Sequence, residues 1–306
     1  MPKRLERIAK REGHRLYTEQ VTVGGKGWKY HANQLNTYST INSEPWDYVV
    51  LQARSDEPLQ PSNVVESNTV KYGQQLIDSV RYHWPKAKIM LFMTWGYKNG
   101  IVLNQQHETL TYIEMQDRLA QQYLRFSDLY HVAVAPIGKV WEETKEKYPN
   151  YSLYYDDDYH QNKLGSFLIA STFYNMIFNT VIQDFTSIPY FNLSEKEVRD
   201  IATLSANIVL RSDSDWRITN WDEEEFKWID YQISDNHIQL STNIPEDWKV
   251  KWKVNGEKVS TQDVIQLSPD QTKQRIEVVV KKGLLRRNET ETAVISQGRR
   301  VKHVEE

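Results

Sequence analysis

The chain has 306 residues, with 38 Lys+Arg against 41 Asp+Glu and a formal net charge of −3. This near-neutral balance argues against a nucleic-acid partner, because dedicated nucleic-acid binders usually carry a basic face. The sequence contains no cysteine, which excludes disulfides, thiol catalysis and cysteine-based metal centres. No apolar run approaches the ~18 residues that a bilayer span requires, so we expect no membrane span. At roughly 150 residues per domain, the length predicts about two domains.

Helical and strand patterns alternate over the first 210 residues. Buried-strand patterns run over residues 46–52 (WDYVVLQ), 87–94 (AKIMLFMT) and 131–136 (HVAVAP), and residues 17–23 (YTEQVTV) alternate in the manner of a further strand. Helical spacing separates them, over residues 2–13, 28–35, 63–83, 110–129, 164–178 and 195–210. Strands separated by helices predict parallel βαβ units, and therefore an α/β domain built as a three-layer α/β/α sandwich over residues 1–210.

The pattern changes after residue 210. Residues 211–225 (RSDSDWRITNWDEEE) are polar and acidic and predict a linker. Residues 226–298 contain short alternating runs separated by turn signals, which predicts a small all-β sandwich of immunoglobulin-like type. This domain is expected to be either a spacer or a carbohydrate-binding module with Trp228, Trp248 or Trp252 as its platform. The charged residues 299–306 predict a frayed tail.

A D-x-x-H pattern opens the apolar helix predicted at residue 164. Asp157 precedes His160 by three residues in the segment YYDDDYHQNKLG. At that spacing the carboxylate can hold Nδ1 of the imidazole and leave Nε2 free as a general base. Two other interpretations fit the same segment, namely helix capping by Asp158 or Asn162 and cation binding by the three consecutive aspartates.

Two segments carry candidate oxyanion-stabilising groups. Residues 21–28 (VTVGGKGW) pass through glycines into a helix, where backbone N–H groups such as that of Gly25 can bind an oxyanion, although a tight βα turn would need the same glycines. The spacing matches neither a Walker loop nor G-x-G-x-x-G. In the second segment, Gln52 and Arg54 follow a buried strand, at the end where open α/β sheets bind ligands. Gln52 can donate to an oxyanion and Arg54 can hold an anionic group, or both can simply solvate the loop.

Aromatic residues are frequent in polar surroundings. The chain has 10 Trp and 18 Tyr, and Trp28, Trp95 and Tyr97 stand near predicted loops. Amphipathic rings in such places bind sugars and other flat ligands. Ordinary half-buried packing would explain the same positions, so both interpretations stay open.

Together these segments resemble the SGNH (GDSL-like) hydrolase superfamily over residues 1–178. Residues 111–143 (TYIEMQDRLAQQYLRFSDLYHVAVAPIGKVWEE) are similar to the late helix–strand–helix of a branch with a GNS-type first block. The resemblance implies that His160 is the base, that Asp157 orients it, and that Gly25 and Gln52 complete the oxyanion hole. It also implies acyl transfer through a serine, on a small acyl ester such as a carbohydrate O-acetyl group, with no metal or organic cofactor.

The sequence departs from the family pattern in two places. The G-x-N-D of the third block is absent, with Asp56 near where its Asn would fall, and the first block with the nucleophilic Ser is missing. Because the family strand order is 2-1-3-4-5, the missing strand belongs between residues 17–23 and 46–52. We therefore expect a segment upstream of Met1 that carries this strand and the nucleophile. The alternative is a catalytically inactive homologue that binds glycans. The resemblance also favours an extracytoplasmic location.

Overall fold

The computed structural model describes residues 2–186, 191–211 and 216, and then residues 229–234, 237–242, 248–262, 264–267, 274–282, 288–296 and 299–303. The chain divides into two compact units, Met1–Glu223 and Glu224–Glu306. Each unit is described by itself. No helix among the described residues is long and apolar enough to cross a membrane.

The first unit alternates helices with short strands. Its helices are α1 (Pro2–Arg11), α2 (Trp28–His31), α3 (Leu35–Ser43), α4 (Ser62–Val64), α5 (Lys71–His83), α6 (Tyr112–Tyr130), α7 (Ile137–Lys147), α8 (Lys163–Phe178) and α9 (Glu195–Val209), with a π-helical turn Val65–Val70 joining α4 to α5. Its strands are β1 (Tyr48–Leu51), β2 (Lys88–Phe92), β3 (Ile101–Leu103), β4 (Glu108–Leu110) and β5 (Ala133–Ala135).

Strands β1, β2 and β5 form a parallel sheet in the order β1-β2-β5. Because side chains alternate across a strand, β2 contributes to two cores at once. Met90 and Phe92 face one core, and Ile89 and Leu91 face the other. Helices α1, α7, α8 and α9 pack on the first face, and α2, α3, α5 and α6 on the second. The predicted three-layer α/β/α arrangement with a parallel sheet is confirmed.

The prediction of a strand over residues 17–23 is wrong. The structure has neither helix nor strand between α1 and α2, and it leaves Tyr17 60% and Val23 43% exposed. The backbone N–H of Thr18 donates to the carboxylate of Glu6 on α1, at 2.8 Å. Alternation makes a strand only where a neighbouring backbone completes the ladder, and no described strand pairs with this segment. Strand β1 pairs only with β2 among the described residues, and its Val50 is 40% exposed.

The second unit consists of two antiparallel sheets. Their orders are β10-β7-β6 and β13-β12-β11-β8-β9. The strands are β6 (Ile229–Ser234), β7 (His237–Thr242), β8 (Trp248–Val254), β9 (Glu257–Ser260), β10 (Val264–Leu267), β11 (Gln274–Lys282), β12 (Asn288–Ser296) and β13 (Arg299–His303). The prediction of small β-sheets after the acidic stretch is confirmed, whereas the immunoglobulin-like sandwich stays a prediction.

Two expectations for this unit are corrected by the structure, and others concern residues that the structure does not describe. The charged residues 299–306 predicted a frayed tail, but β13 pairs antiparallel with β12. The pairing depends on backbone hydrogen bonds to a neighbouring strand, so charged side chains do not prevent it. Trp252 is fully buried and donates through Nε1 to the carbonyl of Gln262 at 2.9 Å, so it presents no ring face to a ligand. Trp228 and most of the predicted linker lie outside the described residues.

Candidate functional site

Asp157 and His160 form a hydrogen-bonded pair at the surface. Oδ2 of Asp157 lies 2.7 Å from Nδ1 of His160. Its Oδ1 accepts the backbone N–H groups of Tyr159 and His160, both at 2.9 Å. The His160 side chain is 76% exposed. With Nδ1 facing the carboxylate, Nε2 is directed away from the pair and is accessible for proton transfer.

Hydrogen bonds to its carboxylate keep Asp157 ionised. They lower the pKa of Asp157 from 3.8 to about 2, mainly through the backbone N–H groups of His160 and Tyr159 and then through the imidazole. At neutral pH the carboxylate therefore accepts from Nδ1–H, which fixes the tautomer that a general base needs.

The loop that carries this pair is held at both ends. The backbone N–H of Tyr155 donates to the carbonyl of His160 at 2.8 Å, which closes the loop. Asn162 then begins α8, and its Oδ1 accepts the N–H of Gly165 at 3.0 Å as a helix N-cap. Of the two capping candidates, Asn162 is the cap and Asp158 is not.

Two of the three consecutive aspartates have separate partners. Asp157 holds His160, whereas Asp158 accepts from Lys98 Nζ at 2.7 Å and from Asn99 Nδ2 at 3.0 Å. Asp158 adopts a left-handed backbone with φ of 61°, which turns its carboxylate towards those residues. No group of three His, Cys, Asp or Glu residues able to hold a metal ion occurs among the described residues.

Contacts between aromatic residues join the His160 loop to the carboxyl ends of two strands. Trp95, after β2, donates through Nε1 to the carbonyl of Tyr159 at 3.0 Å. The rings of Tyr97 and Tyr159 meet edge to face with centroids 4.7 Å apart. Ser55, in the loop after β1, is close enough to the Tyr97 phenol to affect its pKa, which burial raises. The carboxyl ends of β1 and β2 therefore lie beside the His160 loop.

The two oxyanion candidates lie on separate exposed loops. Gln52 directly follows β1, and its exposed side chain makes no hydrogen bond to any described residue. Gly25 has φ of 70° in a turn closed by the Lys26 N–H donating to the Val23 carbonyl at 3.2 Å. Neither residue hydrogen-bonds to His160 within the described part of the chain. The described hydrogen bonds therefore connect neither oxyanion candidate directly to the Asp157–His160 pair.

Three residues predicted to bind substrate are otherwise engaged. Arg54 is paired with Asp56 through two hydrogen bonds, so an anion would have to displace that carboxylate. Trp28 is 1% exposed within the second core, and Trp95 is 8% exposed and stacks on Trp141. Both tryptophans therefore pack in the interior, which corrects the expectation of accessible ring platforms. Tyr97 is half-buried beside Tyr159.

Three further residues of this region are not among the predicted site residues. Tyr155 precedes Asp157 by two positions and Tyr159 lies between Asp157 and His160, with exposed fractions of 53% and 51%. Glu57 is 7% exposed beneath the loop that follows β1. Flanking positions in the D-x-x-H segment could have indicated the tyrosines. Nothing in the sequence around Glu57 distinguishes it from a solvated acidic residue.

No protein-family model matches this sequence, and no curated protein matches it. Among solved structures, the chain is similar to a DUF4886 family protein from Bacteroides uniformis ATCC 8492, with 13% identity and a TM-score of 0.56 over 70% of this chain and 91% of that one. A candidate SGNH hydrolase from Slackia heliotrinireducens matches with 20% identity and a TM-score of 0.44 over 57% and 89%. The first similarity shows a shared fold.

Proposed function

We propose that this chain is part of an SGNH-type ester hydrolase that acts by Ser-His-Asp acyl transfer on a small acyl ester. The observation that carries the proposal is the Asp157–His160 pair, with 2.7 Å between carboxylate and Nδ1. The pair lies beside the carboxyl ends of β1 and β2, where an open α/β sheet binds ligands. The free amide of Gln52 after β1 adds a donor for an oxyanion.

The chemistry follows from the orientation of His160. Nε2 takes the proton of the serine hydroxyl as its oxygen attacks the ester carbonyl, and Asp157 stabilises the imidazolium that forms. The tetrahedral oxyanion would accept from the backbone N–H of Gly25 and the amide of Gln52. Nε2 then protonates the departing alcohol, and water, activated by the same nitrogen, hydrolyses the acyl-enzyme. No metal or organic cofactor enters these steps.

The nucleophile is proposed to lie on a segment upstream of Met1. Within the described residues, the His160 ring hydrogen-bonds only to Asp157. The best internal candidate, Ser55, lies near the Tyr97 phenol and makes no hydrogen bond to His160 among the described residues. Among the described residues no strand pairs with the side of β1 away from β2, which is where the family strand order would put the strand that carries the serine.

A carbohydrate O-acetyl group is the proposed substrate. Tyr155 and Tyr159 belong to the loop that carries the pair and are both about half exposed, and exposed tyrosine rings pack against the apolar faces of sugars. A catalytically inactive protein that binds glycans is the second candidate, because the same rings would serve binding without turnover.

The test is hydrolysis of p-nitrophenyl acetate by this chain and by the longest open reading frame that includes its upstream sequence. We expect turnover in the longer form and a loss of at least ~10³-fold in kcat for His160→Ala in that form. His107→Asn is the control, since His107 is exposed with φ of 53° and its side chain makes no hydrogen bond or ring contact with Asp157 or His160 among the described residues. Absence of turnover in the longest form, with retained binding of acetylated oligosaccharides, would favour the glycan-binding alternative.

A further inference from the structure

A buried carboxylate lies between the two loops that carry the oxyanion candidates. Glu57 is 7% exposed and follows β1 in the short segment that begins with Gln52. The mechanism proposed above does not use it. A buried carboxylate is costly unless several donors satisfy it, so its partners define what it does.

Glu57 contacts three separate segments. Its Oε2 accepts the backbone N–H of Arg54 at 3.1 Å, and its Oε1 accepts the hydroxyl of Thr69 in the π-helical turn at 3.1 Å. The backbone N–H of Trp28, directly after the glycine-rich loop, is close enough to the carboxylate to oppose the rise of its pKa. One side chain thus joins the loop after β1, the loop before α2 and the turn before α5.

The glycine at position 27 makes this contact possible. A Cβ at Gly27 would overlap the Glu57 carboxylate, whereas a Cβ at Gly24 or Gly25 would meet nothing within 4 Å. Gly27 is therefore required for close approach to Glu57, whereas Gly25 is required for its positive φ.

We propose that Glu57 is a positioning residue that fixes the glycine-rich loop carrying Gly25 against the loop carrying Gln52. Its bearing on catalysis rests on the proposed function, because Gly25 and Gln52 matter to the reaction only as oxyanion donors. The contact between the two loops does not depend on that function.

The ionised form of Glu57 is the one that three donors satisfy. Burial raises the pKa of Glu57, and the hydrogen bonds from Arg54, Thr69 and Trp28 oppose that rise. A glutamine at this position keeps the shape but removes the charge, and its amide oxygen accepts more weakly than a carboxylate oxygen. Its NH₂ group can still donate to the Thr69 hydroxyl, which accepts as well as donates. Glu57→Gln therefore weakens the contact with the backbone N–H groups with little change in volume.

The experiment measures hydrogen exchange at the backbone amides of Trp28 and Arg54 by NMR in the full chain. In Glu57→Gln we expect both rates to rise by about tenfold or more, with amides of α8 and α9 unchanged. Gly27→Ala tests the same contact without altering the carboxylate and serves if the first variant does not fold. Gly24→Ala is the control, because it adds the same methyl group to the same loop where a Cβ would meet nothing within 4 Å.

The outcomes separate this inference from the proposed function. Local acceleration in Glu57→Gln and in Gly27→Ala, with a double variant no worse than either alone, supports the positioning role. Unchanged rates at Trp28 and Arg54, or equal acceleration throughout the first unit, would overturn it. Where the longer form hydrolyses p-nitrophenyl acetate, Glu57→Gln should also lower kcat with KM retained, and an unchanged kcat would contradict the link to catalysis. If the wild-type longer form shows no turnover, the proposed function is wrong. The exchange rates at Trp28 and Arg54 still test whether Glu57 holds the two loops together.

Discussion

Lys98 contacts Asp158 twice, through an ion pair of 2.7 Å between Nζ and Oδ1 and through its backbone N–H, which donates to the Asp158 carbonyl at 3.1 Å. The first contact uses the side chain and the second uses the backbone. Together they hold the loop that carries His160 to the segment that follows β2. The orientation of His160 therefore depends on a residue 62 positions earlier in the chain.

Replacing Lys98 by methionine should loosen that loop with little effect on global stability. The ion pair is partly exposed, and such pairs contribute about 0.2–1 kcal/mol. We expect faster hydrogen exchange over residues 155–160 and a melting temperature within a few degrees of wild type. Lys3→Met is the control, because it breaks the exposed pair with Glu6 on α1. Unchanged exchange in the loop would show that the backbone contact alone suffices.

Asp157→Asn should lower kcat roughly 10²–10⁴-fold in a form that turns over ester, with KM nearly unchanged. The amide cannot stabilise the imidazolium as a carboxylate does, and it allows the wrong tautomer of His160. Steady-state kinetics with p-nitrophenyl acetate measures both constants. Asp156→Asn is the matched control, since the neighbouring carboxylate is exposed and lies outside the pair. Equal losses in both variants would contradict a specific role for Asp157.

His160→Ala should raise the pKa of Asp157 only part of the way from about 2 towards 3.8. The two backbone N–H groups that chiefly lower this pKa remain when the imidazole is removed. A carboxyl-detected NMR titration measures the midpoint. A full return to 3.8 would mean that the imidazole alone holds the carboxylate ionised.

The same lowered pKa fixes the sign of a stability change with pH. A carboxyl whose pKa is lower in the folded than in the unfolded state stabilises the protein above its unfolded value. The contribution of Asp157 is therefore complete above about pH 4 and is lost as the pH falls towards 2. Acid unfolding of Asp157→Asn, compared with wild type, should show a smaller loss of stability across this interval.

The sequence predicted most of the first unit because hydrophobic periodicity marks elements buried on one or two faces. Strands β1, β2 and β5 and helices α1, α6, α8 and α9 lie where that pattern placed them. The pattern failed at residues 17–23, where alternation is present but no described strand offers a hydrogen-bonding partner. Periodicity alone also missed helix α7, whose buried Trp141 and Val140 stand among charged residues, whereas the family resemblance over residues 111–143 implied a helix there.

The candidate site was predictable where its chemistry is local in sequence. Asp157 and His160 are three residues apart, so the segment itself brings them together. Contacts made across the fold were not predictable. The Tyr97–Tyr159 contact and the contacts of Glu57 with Gly27 and Thr69 join residues that no local pattern connects.

Gly165→Ala should destabilise the first unit by about 1–3 kcal/mol, although alanine is the better helix former. A Cβ at this position in α8 would lie 2.5 Å from the carbonyl oxygen of Leu153 and 2.6 Å from the buried ring of Trp141. Neither group can move without disturbing the loop that leads to Asp157, so the steric cost outweighs the gain in helix propensity. Urea unfolding measures the difference. Gly24→Ala is the matched control, since its Cβ would meet nothing within 4 Å. We expect it to change the free energy of unfolding by no more than about 0.5 kcal/mol in either direction. Equal stability of the two variants would show that α8 shifts to accommodate the methyl group.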